Sequence, residues 1–241
     1  MSLAEAMLSR SCAGRSLPRC GVCSNLFPTL TEEERATLDR LRKHSTFAAK
    51  DLVFGQGDAA ARVFSLSQGV VRIYKLLPDG RRQVVGFALA GDFLGLTLQD
   101  NHALTAEAIE PTVACSFPRA AFRRLVDGNL VALRRMNVIV SQELSAAHDR
   151  MMLLGRYTAE EKMAAFLVSW RERARSRASK VVALPMSRRD IADYLGLTIE
   201  TVSRTFTRLE RSGVIEIVTG GVRIADEARA TQLAAASPVE V

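Results

Sequence analysis

Apolar residues change their spacing along this chain, and each change marks a boundary. Residues 1–30 show no amphipathic period and are broken by Gly14, Pro18, Gly21 and Pro28, so they read as an arm. Thr31-Glu32-Glu33-Glu34 is a capping box and predicts a short helix with Leu38 and Leu41 on its apolar face. From about Thr46 to Pro118 the apolar runs shorten and turn residues divide them. Val63, Phe64 and Leu66 stop at Gly69, Val70 to Leu77 at Pro78-Asp79-Gly80, and Val84 to Leu89 at Gly91-Asp92, while Thr112 to Phe117 follow Pro111. Pro-Asp-Gly between two apolar runs is a hairpin signal, because proline presets its φ and glycine accepts a left-handed one. Short strands at near-regular spacing predict an antiparallel β domain, a sandwich or small barrel.

From about Arg119 to Leu154 the period becomes helical. Leu130, Leu133, Asn137, Val140, Leu144, Ala147, Met151 and Leu154 follow one another in alternating steps of 3 and 4 residues. Two positions in every seven make the narrow stripe of a coiled-coil seam, where a helix packed on its own domain shows a broader face. The stripe predicts a parallel homodimer, with Gly155 ending the helix. Thr158-Ala159-Glu160-Glu161 is a second capping box, opening a helix that holds Ala164, Ala165, Phe166, Leu167 and Trp170. Arg171, Arg173, Arg175, Arg177 and Lys180 follow, at the end of the helix that favours positive charge.

Residues 187–224 carry the most specific pattern. Ser187-Arg188-Arg189-Asp190 caps a helix with Ile191, Ala192 and Leu195 inward, and Gly196 supplies a tight turn. A second helix runs from Ile199 to about Arg211 and buries Val202, Phe206 and Leu209. This is a helix-turn-helix, and Val214–Val218, Gly220-Gly221 and Val222–Ile224 add a β-hairpin wing. The outward positions of the second helix are Glu200, Thr201, Ser203, Arg204, Thr207 and Arg208. Arg204 suits a bidentate pair with guanine, Glu200 accepts from a cytosine amino group, and Ser203 is short enough to lie against thymine or phosphate. Arg188, Thr201, Thr207 and Arg208 are assigned to phosphates or secondary contacts, which position the protein without reading sequence.

Charge agrees with a polyanionic partner: 33 Lys and Arg against 26 Asp and Glu leave a formal +7 over 241 residues. No apolar run approaches the roughly 20 residues of a membrane helix, and the start carries Glu5 without the apolar core of a signal peptide. The expected setting is the cytoplasm, away from membranes. An enzyme is not expected, since His44, His102 and His148 are scattered and no phosphate-binding or nucleophile motif occurs. Cys12, Cys20 and Cys23 crowd the first tenth of the chain and Cys115 stands apart. In a chain without an export signal, such clustering points to metal or redox chemistry. Four thiolates suit zinc and an iron–sulfur cubane alike.

In this order, arm, β domain, long helix and winged helix-turn-helix resemble the Crp/Fnr family of transcription regulators over almost the whole chain. The run from Leu195 to Arg204, with Glu200, Ser203 and Arg204 in a Glu-x-x-Ser-Arg pattern, is similar to the recognition segment of the Fnr branch, and Val85 to Asp92 is Fnr-like too. The resemblance implies an α+β chain: a sensor arm at 1–30, an antiparallel β-roll of cyclic-nucleotide-binding type at 31–118, a dimerisation helix at 119–155 and a winged helix-turn-helix at 156–241. It implies that Glu200, Ser203 and Arg204 read a TTGAT half-site of a palindrome in double-stranded DNA. It also implies a contact with RNA polymerase, for which the hairpin tip Asp79-Gly80-Arg81-Arg82 is a family-like position.

Two sensors occur among such relatives. Crp-type proteins hold a cyclic nucleotide phosphate with a Gly-Glu turn and a later Arg. Here Asp92 follows Gly91 and no Arg or Lys occurs between Gly91 and Glu110, so no cyclic nucleotide is expected. Fnr-type proteins hold an oxygen-labile [4Fe-4S] cluster with three arm cysteines and one from the β domain. Cys12, Cys20, Cys23 and Cys115 match in number and placement, although the C-x7-C-x2-C spacing sets the extra cysteine before the pair, unlike the enterobacterial pattern. The resemblance therefore implies an oxygen-responsive regulator of anaerobic or microaerobic genes. The alternative keeps DNA binding and changes the signal to thiol redox, haem or a protein partner.

Overall fold

Two four-stranded antiparallel sheets dominate the N-terminal half. The computed structural model describes residues 29–174 and 181–235, and the chain divides between Glu143 and Leu144 into two units, taken here in turn. The first opens with α1 (Glu32–Leu41), where Thr31 Oγ1 accepts from Glu34 N at 3.3 Å and Glu34 Oε2 accepts from Thr31 N at 2.8 Å, the capping box anticipated from sequence. Leu38 is buried; Leu41 is exposed.

The strands are β1 (Lys43–Phe47), β2 (Leu52–Phe54), β3 (Arg62–Gln68), β4 (Val71–Leu76), β5 (Arg82–Ala88), β6 (Phe93–Leu94), β7 (Thr105–Ala108) and β8 (Thr112–Pro118). They pair as β1-β8-β3-β6 and β2-β7-β4-β5. Pro78-Asp79-Gly80 closes the β4–β5 hairpin, with Leu77 N donating to Arg81 O at 2.8 Å. Residues of both sheets, among them Phe64, Leu66, Val71, Ala106 and Ala114, form one core. A second core gathers Leu30, Leu38, Val63, Cys115 and Phe117 with residues of two helices, α2 (Arg119–Gly128) and α3 (Leu130–Arg156). Burying a side chain such as Phe117 contributes about 1.5–3 kcal/mol.

The helical stretch expected at 119–155 is thus two helices. Asn129 between them is extended (φ −123, ψ 105), and its Oδ1 accepts from Val131 N at 3.1 Å and Ala132 N at 3.0 Å. A short polar side chain that satisfies the first N–H groups of a helix ends the preceding one and starts the next. Gly155 lies inside α3, which runs on to Arg156.

In the second unit the end of α3 is followed by α4 (Ala159–Arg173), capped by Thr158 and Glu161 as its sequence predicts. Lys162 is buried and donates to Leu154 O at 3.0 Å, supplying an end carbonyl of α3 with a cationic donor. Trp170 Nε1 donates to Ala183 O at 2.8 Å and so fixes β9 (Val181–Ala183) to α4. Arg171 pairs with Glu227 at 2.9 Å, so this part of the basic run does structural work; Arg175, Arg177 and Lys180 lie outside the described residues. No described helix is long and apolar enough to cross a membrane.

Candidate nucleic-acid interface and sensor cysteine

Two short helices, α5 (Arg188–Leu195) and α6 (Ile199–Arg211), meet at a left-handed glycine. Ser187 caps α5 by accepting from Asp190 N at 3.1 Å, while Asp190 Oδ2 accepts from Ser187 N at 3.0 Å. Gly196 takes φ +64, and a Cβ there would stand 3.2 Å from Leu154 Cδ2 in a conformation that L side chains disfavour. Thr198 caps α6, accepting from Thr201 N at 3.2 Å. Ile191, Ala192, Leu195, Val202, Phe206 and Leu209 are buried, with Thr205 beside them satisfied by Thr201 O at 2.8 Å. β10 (Ile215–Val218) and β11 (Gly221–Ile224) form the wing, and β9 joins it as a third strand. A final helix, α7 (Glu227–Ala234), packs on α4 and was not anticipated from sequence.

The buried face being complete, α6 offers solvent a polar one. Glu200, Ser203, Arg204, Thr207 and Arg208 are exposed; Thr201 is half-buried, its hydroxyl 3.1 Å from that of Thr198. Glu200 is held below the usual carboxylate range by its own backbone N–H, then by the Thr198 hydroxyl and the charge of Arg204 one turn on. An ionised acceptor thus stands beside a bidentate donor. Ser203, Arg204, Thr207, Arg208 and Arg211 line one shallow groove. Arg211 escaped the sequence reading, although its step of three from Arg208 puts it on the same face.

Arg188 corrects an expectation. Its guanidinium lies over the Phe206 ring, 3.2 Å from the centroid, with Nη1 buried and without a hydrogen-bond partner among the described residues. Burial pulls its pKa below the ordinary arginine value. Cation and ring brace α5 against α6, so Arg188 is a packing residue here and not an outward phosphate ligand.

Comparison with known proteins agrees with this geometry. Residues 161–230 match the Crp-like helix-turn-helix domain and residues 44–129 the cyclic nucleotide-binding domain. The chain is 49% identical over 227 residues to the nitrogen fixation regulation protein FixK of Bradyrhizobium diazoefficiens, spanning 93% of this chain and 94% of that one. It is equally 49% identical to the transcriptional activatory protein AadR of Rhodopseudomonas palustris, spanning 93% and 92%. The structure of FixK2 from Bradyrhizobium japonicum aligns with a TM-score of 0.76 at 36% identity, covering 81% of this chain and 98% of that one.

The chain belongs to the Crp/Fnr family of transcription regulators. As a Crp/Fnr protein it is a DNA-binding regulator, and α6 is the second helix of its helix-turn-helix. The family's β-roll here holds Cys115 on β8, opposite His44 of β1 and Ser65 of β3. Cys115 is 2% exposed and its Sγ lies 3.6 Å from His44 Nδ1. Cys12, Cys20 and Cys23 lie outside the described residues. Asp92, next to Gly91, accepts from Leu89 N at 2.8 Å within its own turn.

Along α3 the expected seam is only partly outward. Leu130, Asn137 and Val140 in the first unit and Leu144, Met151 and Leu154 in the second are exposed, whereas Leu133 packs on the first unit's core and Ala147 is half-buried. Val131, Val138 and Met152 are also exposed, so the apolar surface is broader than the stripe.

Proposed function

We propose that this Crp/Fnr regulator is oxygen-responsive, that Cys12, Cys20, Cys23 and Cys115 hold a [4Fe-4S] cluster, and that a homodimer binds two inverted TTGAT half-sites. The observation that supports the sensor is the shared core of Cys115 and Leu30, because Leu30 is where the cysteine-bearing arm meets the β domain. The span from Cys23 to Leu30 reaches about 25 Å when extended, ample for the arm thiols to approach Cys115. Four thiolates, one per iron, are the donor set a cubane takes. Arg10, Arg15 and Arg19 in the arm favour thiolates and offset negative charge.

When bound, the cluster supplies oxygen-labile redox chemistry. The chain's part is to tie the arm to the core around Cys115, a core that also contains Ala132 and Met136 of α3. The exposed stripe of α3 then takes a second copy, which sets two α6 helices about one DNA turn apart. Glu200, Ser203 and Arg204 read bases, Arg208 and Thr207 take phosphates, and the tip Asp79-Gly80-Arg81-Arg82 meets RNA polymerase.

Anaerobic isolation tests the sensor. The expected protein is brown, contains iron and acid-labile sulfide, and bleaches in air. A colourless protein with neither, or one with stoichiometric zinc, that still discriminates its operator would leave the gene regulator and remove the cluster. The 3.6 Å contact of Cys115 with His44 supports a second reading, thiol redox, with the imidazole as a hydrogen-bonding partner of the thiol. That reading expects a colourless protein whose operator binding is lost with diamide and restored by dithiothreitol.

A further inference from the structure

Arg208 on the outward face of α6 is engaged within its own unit: its Nη1 donates to Glu160 Oε1 at 2.7 Å. Glu160 stands in the first turn of α4, where a helix dipole favours a carboxylate. The capping there is done by Thr158 and Glu161, so Glu160 adds nothing to the cap itself. Instead it brings negative charge to the row Arg204, Arg208 and Arg211, which lines the groove on the outward face of α6.

The pair is poised between two partners. Arg208 is 66% exposed and Glu160 32%, so the ion pair is solvent-screened and opens at small cost. A DNA phosphate is a competing acceptor of the same charge and geometry. Glu160 holds only Nη1, so a phosphate either displaces it there or takes Nε and Nη2 beside it, and in both cases the carboxylate faces a polyanion. Every duplex bears phosphates, so this penalty falls on all DNA alike. A chain with a formal +7 charge binds non-specific DNA through its cations, and such a penalty reduces that term while leaving base contacts untouched.

We propose that Glu160 is an affinity-setting residue which competes with the DNA backbone for Arg208. It lowers binding to any sequence, so that the base contacts made elsewhere on α6 decide where the protein stays. The inference rests on DNA binding by α6 and is independent of the operator and of the sensor.

The test is a double-mutant cycle of Glu160→Gln and Arg208→Gln, read by fluorescence anisotropy across a salt series. One duplex carries two inverted TTGAT half-sites and the other is a scrambled duplex of equal length. Glu160→Gln is expected to tighten binding to both duplexes about two- to fivefold per recognition helix at low salt. It should also steepen the salt dependence, by up to about one unit of logarithmic slope per helix. Both effects should be clearly smaller in the Arg208→Gln background, where only the direct repulsion between the carboxylate and the phosphates is left to relieve. Unchanged or weaker binding by Glu160→Gln would overturn the proposal, as would tightening of undiminished size without Arg208. A wild type that shows no preference for the TTGAT duplex would count against that operator alone, because the scrambled duplex still decides the role of Glu160.

Discussion

The side-chain amide of Asn129 donates to the backbone carbonyl of Thr29 at 3.2 Å, joining residues 100 positions apart in sequence. The same Nδ2 donates to Glu34 Oε2 at 2.9 Å, while Oδ1 caps α3. One side chain therefore starts the long helix and fastens the point at which the arm enters the β domain. Glu34 is held below the usual carboxylate range, first by the Thr31 N–H and further by the Asn129 amide. The junction is thus a chain of charge-assisted hydrogen bonds from Thr31 through Glu34 to α3.

Asn129→Ala removes the cap and both donations, and is expected to destabilise the protein by about 1–2 kcal/mol. Asn129→Asp keeps the acceptor for α3, loses the donations and faces Glu34 with a like charge, so it should recover only part of the loss. Urea midpoints at constant slope measure both. An unaltered midpoint for Asn129→Ala would show that the junction carries no stability.

His102 gives the first unit an acid limit. It is buried, stacked on Phe54 with centroids 3.8 Å apart, and burial holds its pKa below 6.5 in the folded protein. With the folded pKa depressed, the unfolded chain binds the proton first as pH falls. Stability from this group is therefore complete above about pH 6.5 and declines below it, down to the folded pKa. Urea midpoints from pH 7.5 to 5 should fall in the wild type and fall less in His102→Phe, which keeps a ring on Phe54. Parallel curves for the two proteins would exclude His102 as the source.

Much of this architecture could be read from the chain because it depends on neighbours in sequence. The capping boxes at Thr31, Thr158 and Ser187 need only a side chain and a partner three residues on. The helix-turn-helix needs a buried period and one left-handed glycine, and Gly196 supplies it. What escaped was set by distant partners. β7 reads Thr-Ala-Glu-Ala and gives no strand signal, yet all four residues are buried because β7 lies between β2 and β4, where Glu107 finds Arg72 and Tyr74. Asn129 looked like any residue of a continuous helix until Thr29 and Glu34 came beside it. Arg188 looked like a phosphate ligand because sequence does not reveal that Phe206 lies under its guanidinium. The arm cysteines lie outside the described residues, so the sensor rests on Cys115 and on the chemistry of the set.

Along α6, position separates two kinds of arginine. Arg204 stands one turn from the ionised Glu200, in the middle of α6, and Arg211 is its last residue. Arg204→Ala is expected to cost about 1–3 kcal/mol on the operator and to relax choice at one base pair. Arg211→Ala should weaken specific and random duplexes equally and reduce the logarithmic salt slope by about one per helix. Equal loss on both duplexes for Arg204→Ala would reassign it to the backbone.

Leu144 tests the homodimer where its own fold has least at stake. It is 56% exposed and Met151 62%, so neither contributes much to the stability of a single chain. Burying such a leucine against a second copy is worth up to about 1.5–3 kcal/mol, and it is buried once from each side of a two-fold interface. Leu144→Glu replaces that gain with two like charges facing each other at low dielectric. Asn137, at the equivalent position one heptad earlier, already tolerates water and in a seam fixes register at a cost in affinity, which leaves Leu144 to carry more of the association. The variant should keep its helical content and its single-chain unfolding behaviour, sediment as a monomer at micromolar concentration, and bind a single half-site about as well as the wild type. Binding to the full palindrome should fall by at least tenfold, since two linked recognition helices act at high effective concentration and two separate ones do not. A Leu144→Glu protein that stays dimeric and holds the palindrome as tightly as before would place the interface elsewhere on the chain.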